Sequence, residues 1–161
     1  MNASPAATAL RSLSSRKLLN RLRAAFGRAP VLAKVTAPPE IALGERLEVS
    51  WRLDYGALEV TNVSVALVGS EVARERISAR TGISVVTDTR PFVTLAIDRR
   101  MPAPGVASVD GLGAAVVPAD SVPTLSGRLN EIAWAVVIEA AYQADAVWRD
   151  EFPVVVLPRR S

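Results

Sequence analysis

From Pro30 onward the chain alternates. In Arg46 to Asp54, Leu47, Val49, Trp51 and Leu53 alternate without error with Glu48, Ser50, Arg52 and Asp54. A period of two sends one set into a core and the other into water, so this segment reads as a half-buried strand. Asp54-Tyr55-Gly56 supplies turn residues, and Val60 to Leu67 sets Val63, Val65 and Leu67 against Asn62, Ser64 and Ala66, so the two segments read as a hairpin. Val31 to Thr36, Ile83 to Thr87, Phe92 to Asp98, Ala114 to Val117, Ile132 to Tyr142 and Phe152 to Leu157 are further strands. Glu71 to Arg80 is the one stretch of the body with a helical reading. Short strands punctuated by Pro, Gly and Asp, with no long helix to cross over a parallel sheet, predict an all-β antiparallel sandwich.

Before Pro30 the period is different. At 100° per residue Leu18, Leu19, Leu22, Ala25 and Phe26 fall on one arc of about 120°, and Arg16, Lys17, Arg21, Arg23 and Arg28 lie outside it. Ser12 or Ser14 can cap this basic amphipathic helix, and Gly27 with Pro30 stops it. The expected organisation is an arm over residues 1–29, carrying the helix at about Ser14 to Phe26, and a β-sandwich domain over 30–161. A dozen helical residues are marginal alone in water and need a surface to lie on.

Charge follows the same division. The first 34 residues hold seven bases (Arg11, Arg16, Lys17, Arg21, Arg23, Arg28, Lys34) and no acid, whereas the remainder holds twelve bases against sixteen acids. A basic arm on a mildly acidic body suggests contact with something anionic, or an arm that folds back on its own body. Every Leu cluster of the arm is interrupted by Arg or Lys, unlike a secretory signal, although an acid-free, Arg- and Ser-rich N-terminus also fits a removable organelle-targeting segment. The longest apolar run, Ile132 to Ala141, is broken by Glu139 and is too short to span a bilayer as a helix. A cytoplasmic protein is expected, with the inner face of the membrane as a peripheral site.

The 161 residues are half hydrophobic but only 5% aromatic, so the core must be built from Val, Leu, Ile and Ala. There is no His and no Cys. Ser-His-Asp and Cys-His nucleophiles, the usual zinc sites and disulfides are thereby excluded, and neither cofactor nor metal is expected. A Ser-Lys pair is disfavoured because the only lysines, Lys17 and Lys34, lie in or beside the arm. Among the acids, Glu71 and Glu75 sit one turn apart on a helical reading, and Asp145, Asp150 and Glu151 cluster before the last strand. Such groups could flank a glycosidic bond, but neither has the surrounding pattern of a carboxylate hydrolase or an oxygen-ligated Ca²⁺ loop. Gly111-Leu112-Gly113 lacks a following helix and reads as a turn joining strands. Trp51 and Trp134 sit on core faces. Trp148, just ahead of a strand, either seals the sandwich end or enters a partner's pocket.

Four stretches carry a family resemblance: Leu67-Val68-Gly69-Ser70-Glu71-Val72-Ala73, Val117-Pro118-Ala119-Asp120-Ser121-Val122-Pro123-Thr124, Asn130-Glu131-Ile132-Ala133-Trp134 and Asp150-Glu151-Phe152-Pro153-Val154-Val155-Val156-Leu157-Pro158. They resemble the arrestin-like, immunoglobulin-type β-sandwich domains of bacterial proteins of poorly known function. The resemblance covers Val31 to Pro158, is one of fold signatures, and implies scaffold-type binding without a reaction. Arrestins carry two such sandwiches where this chain has room for one, so no binding residue is carried over.

The expected function is therefore that of a non-enzymatic adaptor or accessory subunit. Its partner- or membrane-binding residues are Arg16, Lys17, Leu18, Leu19, Arg21, Leu22, Arg23 and Phe26 of the arm, with Trp148 of the body. Full burial of the arm's Leu and Phe side chains is worth about 1.5 to 3 kcal/mol each, and each base near an anionic leaflet about 1 kcal/mol, before the cost of ordering the segment. A protein partner fits this pattern first and an anionic membrane second. A nucleic acid fits worse, since Phe26 alone is available for stacking. The sequence assigns no small-molecule ligand.

Overall fold

A computed structural model describes residues 31–80, 82–142 and 146–159, and the arm with its helix lies outside them. Nine strands run in chain order: β1 (Leu32–Thr36), β2 (Glu40–Ala42), β3 (Arg46–Asp54), β4 (Val60–Ala79), β5 (Gly82–Arg100), β6 (Ser108–Val116), β7 (Leu125–Ser126), β8 (Asn130–Tyr142) and β9 (Ala146–Leu157). They form two sheets. One is β1-β3-β6; the other is β2-β9-β8-β4-β5, with β7 beside the start of β8.

The alternation of β3 is realised in full: Leu47, Val49, Trp51 and Leu53 are buried and face Val63, Val65 and Leu67 of β4, Trp134, Val136 and Ile138 of β8, and Val154 and Val156 of β9 in one core. Both indoles are core groups that find a polar partner for their N–H. Trp51 Nε1 donates to Asp98 Oδ2 (3.1 Å) and Trp134 Nε1 to the carbonyl of Val122 (3.0 Å).

Five expectations need correction. The second sheet is mixed, because β2 pairs with β9 in parallel. Strands β3 and β4 do not form a hairpin: β3 pairs with β1 and β6, and β4 with β5 and β8. Asp54-Tyr55-Gly56 does turn the chain, but the amides of Tyr55 and Gly56 donate to Ala107 O and the Tyr55 ring enters the core, so the chain arches from one sheet to the other. Glu71 to Arg80 is extended rather than helical, because every residue from Glu71 to Ala79 has a cross-strand partner on β5. Ile83 to Thr87 and Phe92 to Asp98 belong to a single 19-residue strand. Pro91 is accommodated there at a bulge, where the register slips between Gly69 and Ser70 and a missing N–H breaks no regular ladder. Gly111-Leu112-Gly113 is the middle of β6, not a turn. A side chain at position 111 would strike the Asp98 carboxylate and the Trp51 indole, and one at 113 the Ile97 side chain and backbone, so these glycines let β6 close against β5 of the opposite sheet.

Candidate binding surfaces

The two sheets differ in length, and the difference leaves the far end of β4 and β5 exposed. The strands of β1-β3-β6 are 5, 9 and 9 residues long, whereas β4 and β5 have 20 and 19. Core residues of β4 end at Leu67. Pairing of β4 with β8 continues to Ala73–Asn130, the Arg74 amide still donates to Leu129 O (2.7 Å), and beyond it residues 75–79 pair only with 82–86 of β5. The β4-β5 hairpin thus overhangs the sandwich as a two-stranded ribbon, a form with little stability of its own.

Cross-strand pairing assigns the faces of this overhang, since opposed residues share a face. Continuous with the core are Glu71 opposite Arg90, Ala73 opposite Asp88, Glu75 opposite Val86 and Ile77 opposite Ser84. Leu125 and Ile132 lie opposite one another on the same face at the level of Glu71, and Phe92 meets Trp134 edge to face at 5.5 Å at its base. Leu125 is 59% exposed, and Phe92, Val86 and Ile77 are all above 40%. Charge on this face is acidic: Glu71, Glu75 and Asp88 stand against one base, Arg90, which is already paired with Asp88 (2.9 Å). The reverse face carries Arg74, bonded to Glu131 (2.6 Å), and Arg76.

A second surface is the outer side of the short sheet, where an open groove of about 790 Å³ runs between Thr36, Pro38, Arg46, Glu48, Leu112 and Ala114. Leu112 projects from it, 75% exposed.

The eight expected binding residues of the arm, Arg16, Lys17, Leu18, Leu19, Arg21, Leu22, Arg23 and Phe26, lie outside the described residues. Trp148 stands on β9 opposite Ala140, half-buried against the core near the end of the sandwich opposite the overhang. Among the described residues the candidate acids do not converge, and Asp145 lies outside them. Glu71 and Glu75 occupy one strand as exposed residues, while Asp150 pairs with Ile138, whose β4 partner Val65 lies about 20 Å along the strand from Glu71. Asp150 Oδ1 accepts the amide of Glu151 (2.9 Å). Nearby, Arg149 bonds Glu139 and Glu151 on the outer face of the long sheet; partial burial opposes its charge, but the two carboxylates outweigh this and hold its pKa above the ordinary arginine value. Sequence reading missed the overhang. Its signal is a change of parity: the positions that continue Val63, Val65 and Leu67 become Glu71 and Glu75, so the core-facing side of β4 turns polar where the core ends.

No family model matches the chain, and no curated protein does. Among solved structures it is similar to Spo0M, the sporulation control protein of Bacillus subtilis, whose fold is arrestin-like, with a TM-score of 0.50 and 14% identity over 78% of this chain. The described residues fit a β-rich, arrestin-like fold. The chain spans about half the length of Spo0M, 49%, and at this identity the likeness concerns fold alone. Looser likenesses, both with a TM-score of 0.41, join it to the superoxide reductase (neelaredoxin) of Ignicoccus hospitalis at 11% identity (78% of this chain, 80% of that one) and to AvmM, which catalyses macrocyclization in alchivemycin A biosynthesis, at 10% (83% and 93%). A likeness of that extent carries no argument about activity.

Proposed function

We propose that this protein is a non-enzymatic adaptor or accessory subunit that docks through its basic amphipathic N-terminal segment and offers its β-sandwich to a protein. The observation that carries this reading is the β4-β5 overhang, where Ile77 and Val86 lie open on a ribbon that contributes nothing to the core. Exposed apolar residues on a two-stranded projection are covered at little cost by a partner. The similarity to a regulatory protein, Spo0M, is compatible with such a role. In this reading the protein is cytoplasmic, its first partner is a protein, and the inner face of a membrane is the second surface its arm can meet.

The test is purification from native cells of the full chain and of a chain lacking residues 1–29, with soluble and membrane fractions kept apart. Defined proteins that disappear with the arm support the reading. Loss of membrane association alone would make it a peripheral membrane protein, and unchanged association would refute docking through the arm.

A further inference from the structure

We propose that the core-side face of the β4-β5 overhang is the seat for residues 14–26 of a second copy of this chain. The inference rests on the reading that this segment docks on protein as a helix, and it names the partner. Three observations support it. The first is charge: the face carries Glu71, Glu75 and Asp88 against a single base already held by Asp88, and the segment carries Arg16, Lys17, Arg21 and Arg23 with no acid. At 100° per residue Arg21 and Arg23 flank the apolar arc on either side, which is where bases must stand to meet acids bordering an apolar strip. The second is size. Six residues of strand from Glu71 to Ile77 extend about 20 Å, the length of a 13-residue helix, and exposed Leu125, Val86 and Ile77 are spread along that length to receive Leu18, Leu22 and Phe26.

The third is reach, and it decides between the chain's own arm and another's. Leu32 lies opposite Asp54, at the end of the sandwich away from the overhang. Trp51 bonds Asp98, which pairs with Val65, and this sets Leu32 level with about Asn62. Glu71 is then about 30 Å and Ile77 about 50 Å further along the long sheet. Residues 27–31, fully extended, reach about 17 Å, and a helix pointed straight on adds about 6 Å to Leu22, so Leu22 and Phe26 stop short of their own overhang. Two copies lying antiparallel side by side can exchange arms reciprocally, giving a closed pair with two identical contacts.

The experiment is sedimentation equilibrium of the full chain from about 1 to 100 µM, on wild type, on a seat variant (Glu71→Arg with Glu75→Arg) and on an arm variant (Arg21→Glu with Arg23→Glu). Wild type should dimerise, each variant alone should associate about tenfold or more weakly, and an equimolar mixture of the two variants should regain the dimer, because each arm then meets a seat of opposite charge. Unchanged circular dichroism reports that the variants are folded. Ile77→Asn, beyond the last pairing with β8 and already exposed, tests the apolar part with little demand on the fold and should also weaken the dimer. A wild type that stays monomeric throughout, a seat variant or Ile77→Asn that dimerises like wild type, or a mixture that does not recover would overturn the proposal. Failure of the seat variant alone, with Leu22→Asp still abolishing association, would overturn this seat while leaving docking through the arm intact.

Discussion

The indole of Trp51 donates to the carboxylate of Asp98 across the two sheets. Trp51 is in the middle of the short sheet and Asp98 on the edge strand of the long one, so the bond ties β3 to β5 where no backbone ladder joins them. Asp98 is also the acceptor for Arg100 Nε at 3.1 Å and the amide of Arg99 at 2.8 Å, and only 13% of its side chain is exposed. The two sheets are therefore held in register by a polar strap at the rim of an apolar core. Asp98→Ala leaves the buried Trp51 N–H without an acceptor and should cost about 1 to 3 kcal/mol in urea unfolding. Adding Trp51→Phe to Asp98→Ala should cost less than the sum of the two single changes, since the orphaned donor is then gone.

Gly111→Ala should destabilise by about 1 to 3 kcal/mol, because its methyl would overlap the Asp98 carboxylate and sit 2.8 Å from Trp51 Nε1, between the two partners of that bond. Leu112→Ala on the same strand, with its side chain in solvent, should stay within about 0.5 kcal/mol. Thermal or urea unfolding of the pair checks the contrast.

Tyr55 gives a pH dependence. Its ring is buried, its hydroxyl has no hydrogen-bond partner among the described residues, and burial pushes its pKa above the ordinary tyrosine value of 10.0. Above that ordinary value the unfolded chain releases the proton while the folded one retains it, so the unfolded state is favoured and stability falls as pH rises through the folded pKa; below it the contribution is constant. Tyr55→Phe should remove this alkaline loss. At neutral pH it should be neutral or stabilising by about 1 kcal/mol, since no bond is broken and a desolvated hydroxyl is removed. Urea unfolding of both proteins between pH 7 and 11 measures it.

The overhang should be dispensable for folding. Replacing residues 76–85 with Asn-Gly joins Glu75 directly to its opposite residue Val86 through a two-residue turn and touches no core position. The unfolding free energy should change by less than about 1 kcal/mol, while association with partners should be lost.

Much of this fold was legible in the sequence, and the part that was not has identifiable causes. Periodicity located β3 residue by residue, because alternation reports which face is buried. It could not report which strand lies alongside: Asp54-Tyr55-Gly56 signals a reversal equally well within a sheet or between sheets, and the burial of Tyr55 decides for the second. Glu71 and Glu75 are four apart, a spacing that places two residues on one side of a helix and also on one side of a strand, so only the ladder with β5 resolves it. Gly111 and Gly113 resembled turn residues because close approach of another strand is a long-range fact. Trp148 stood open between two roles, and it lies half-buried against the core. The overhang escaped notice because strand length relative to the opposing sheet is invisible until both are assembled.

Docking of the arm through its apolar side onto protein can be separated from docking by charge in a single comparison. Full-length wild type, Leu22→Asp and Arg21→Ala are to be used side by side to capture partners from native cells at two salt concentrations. Leu22→Asp should lose about tenfold or more of the captured protein, whereas Arg21→Ala should stay within about threefold and salt should have a modest effect. Full retention by Leu22→Asp, with capture that collapses in salt and depends on Arg21, would contradict it and point to an anionic polymer as the arm's target.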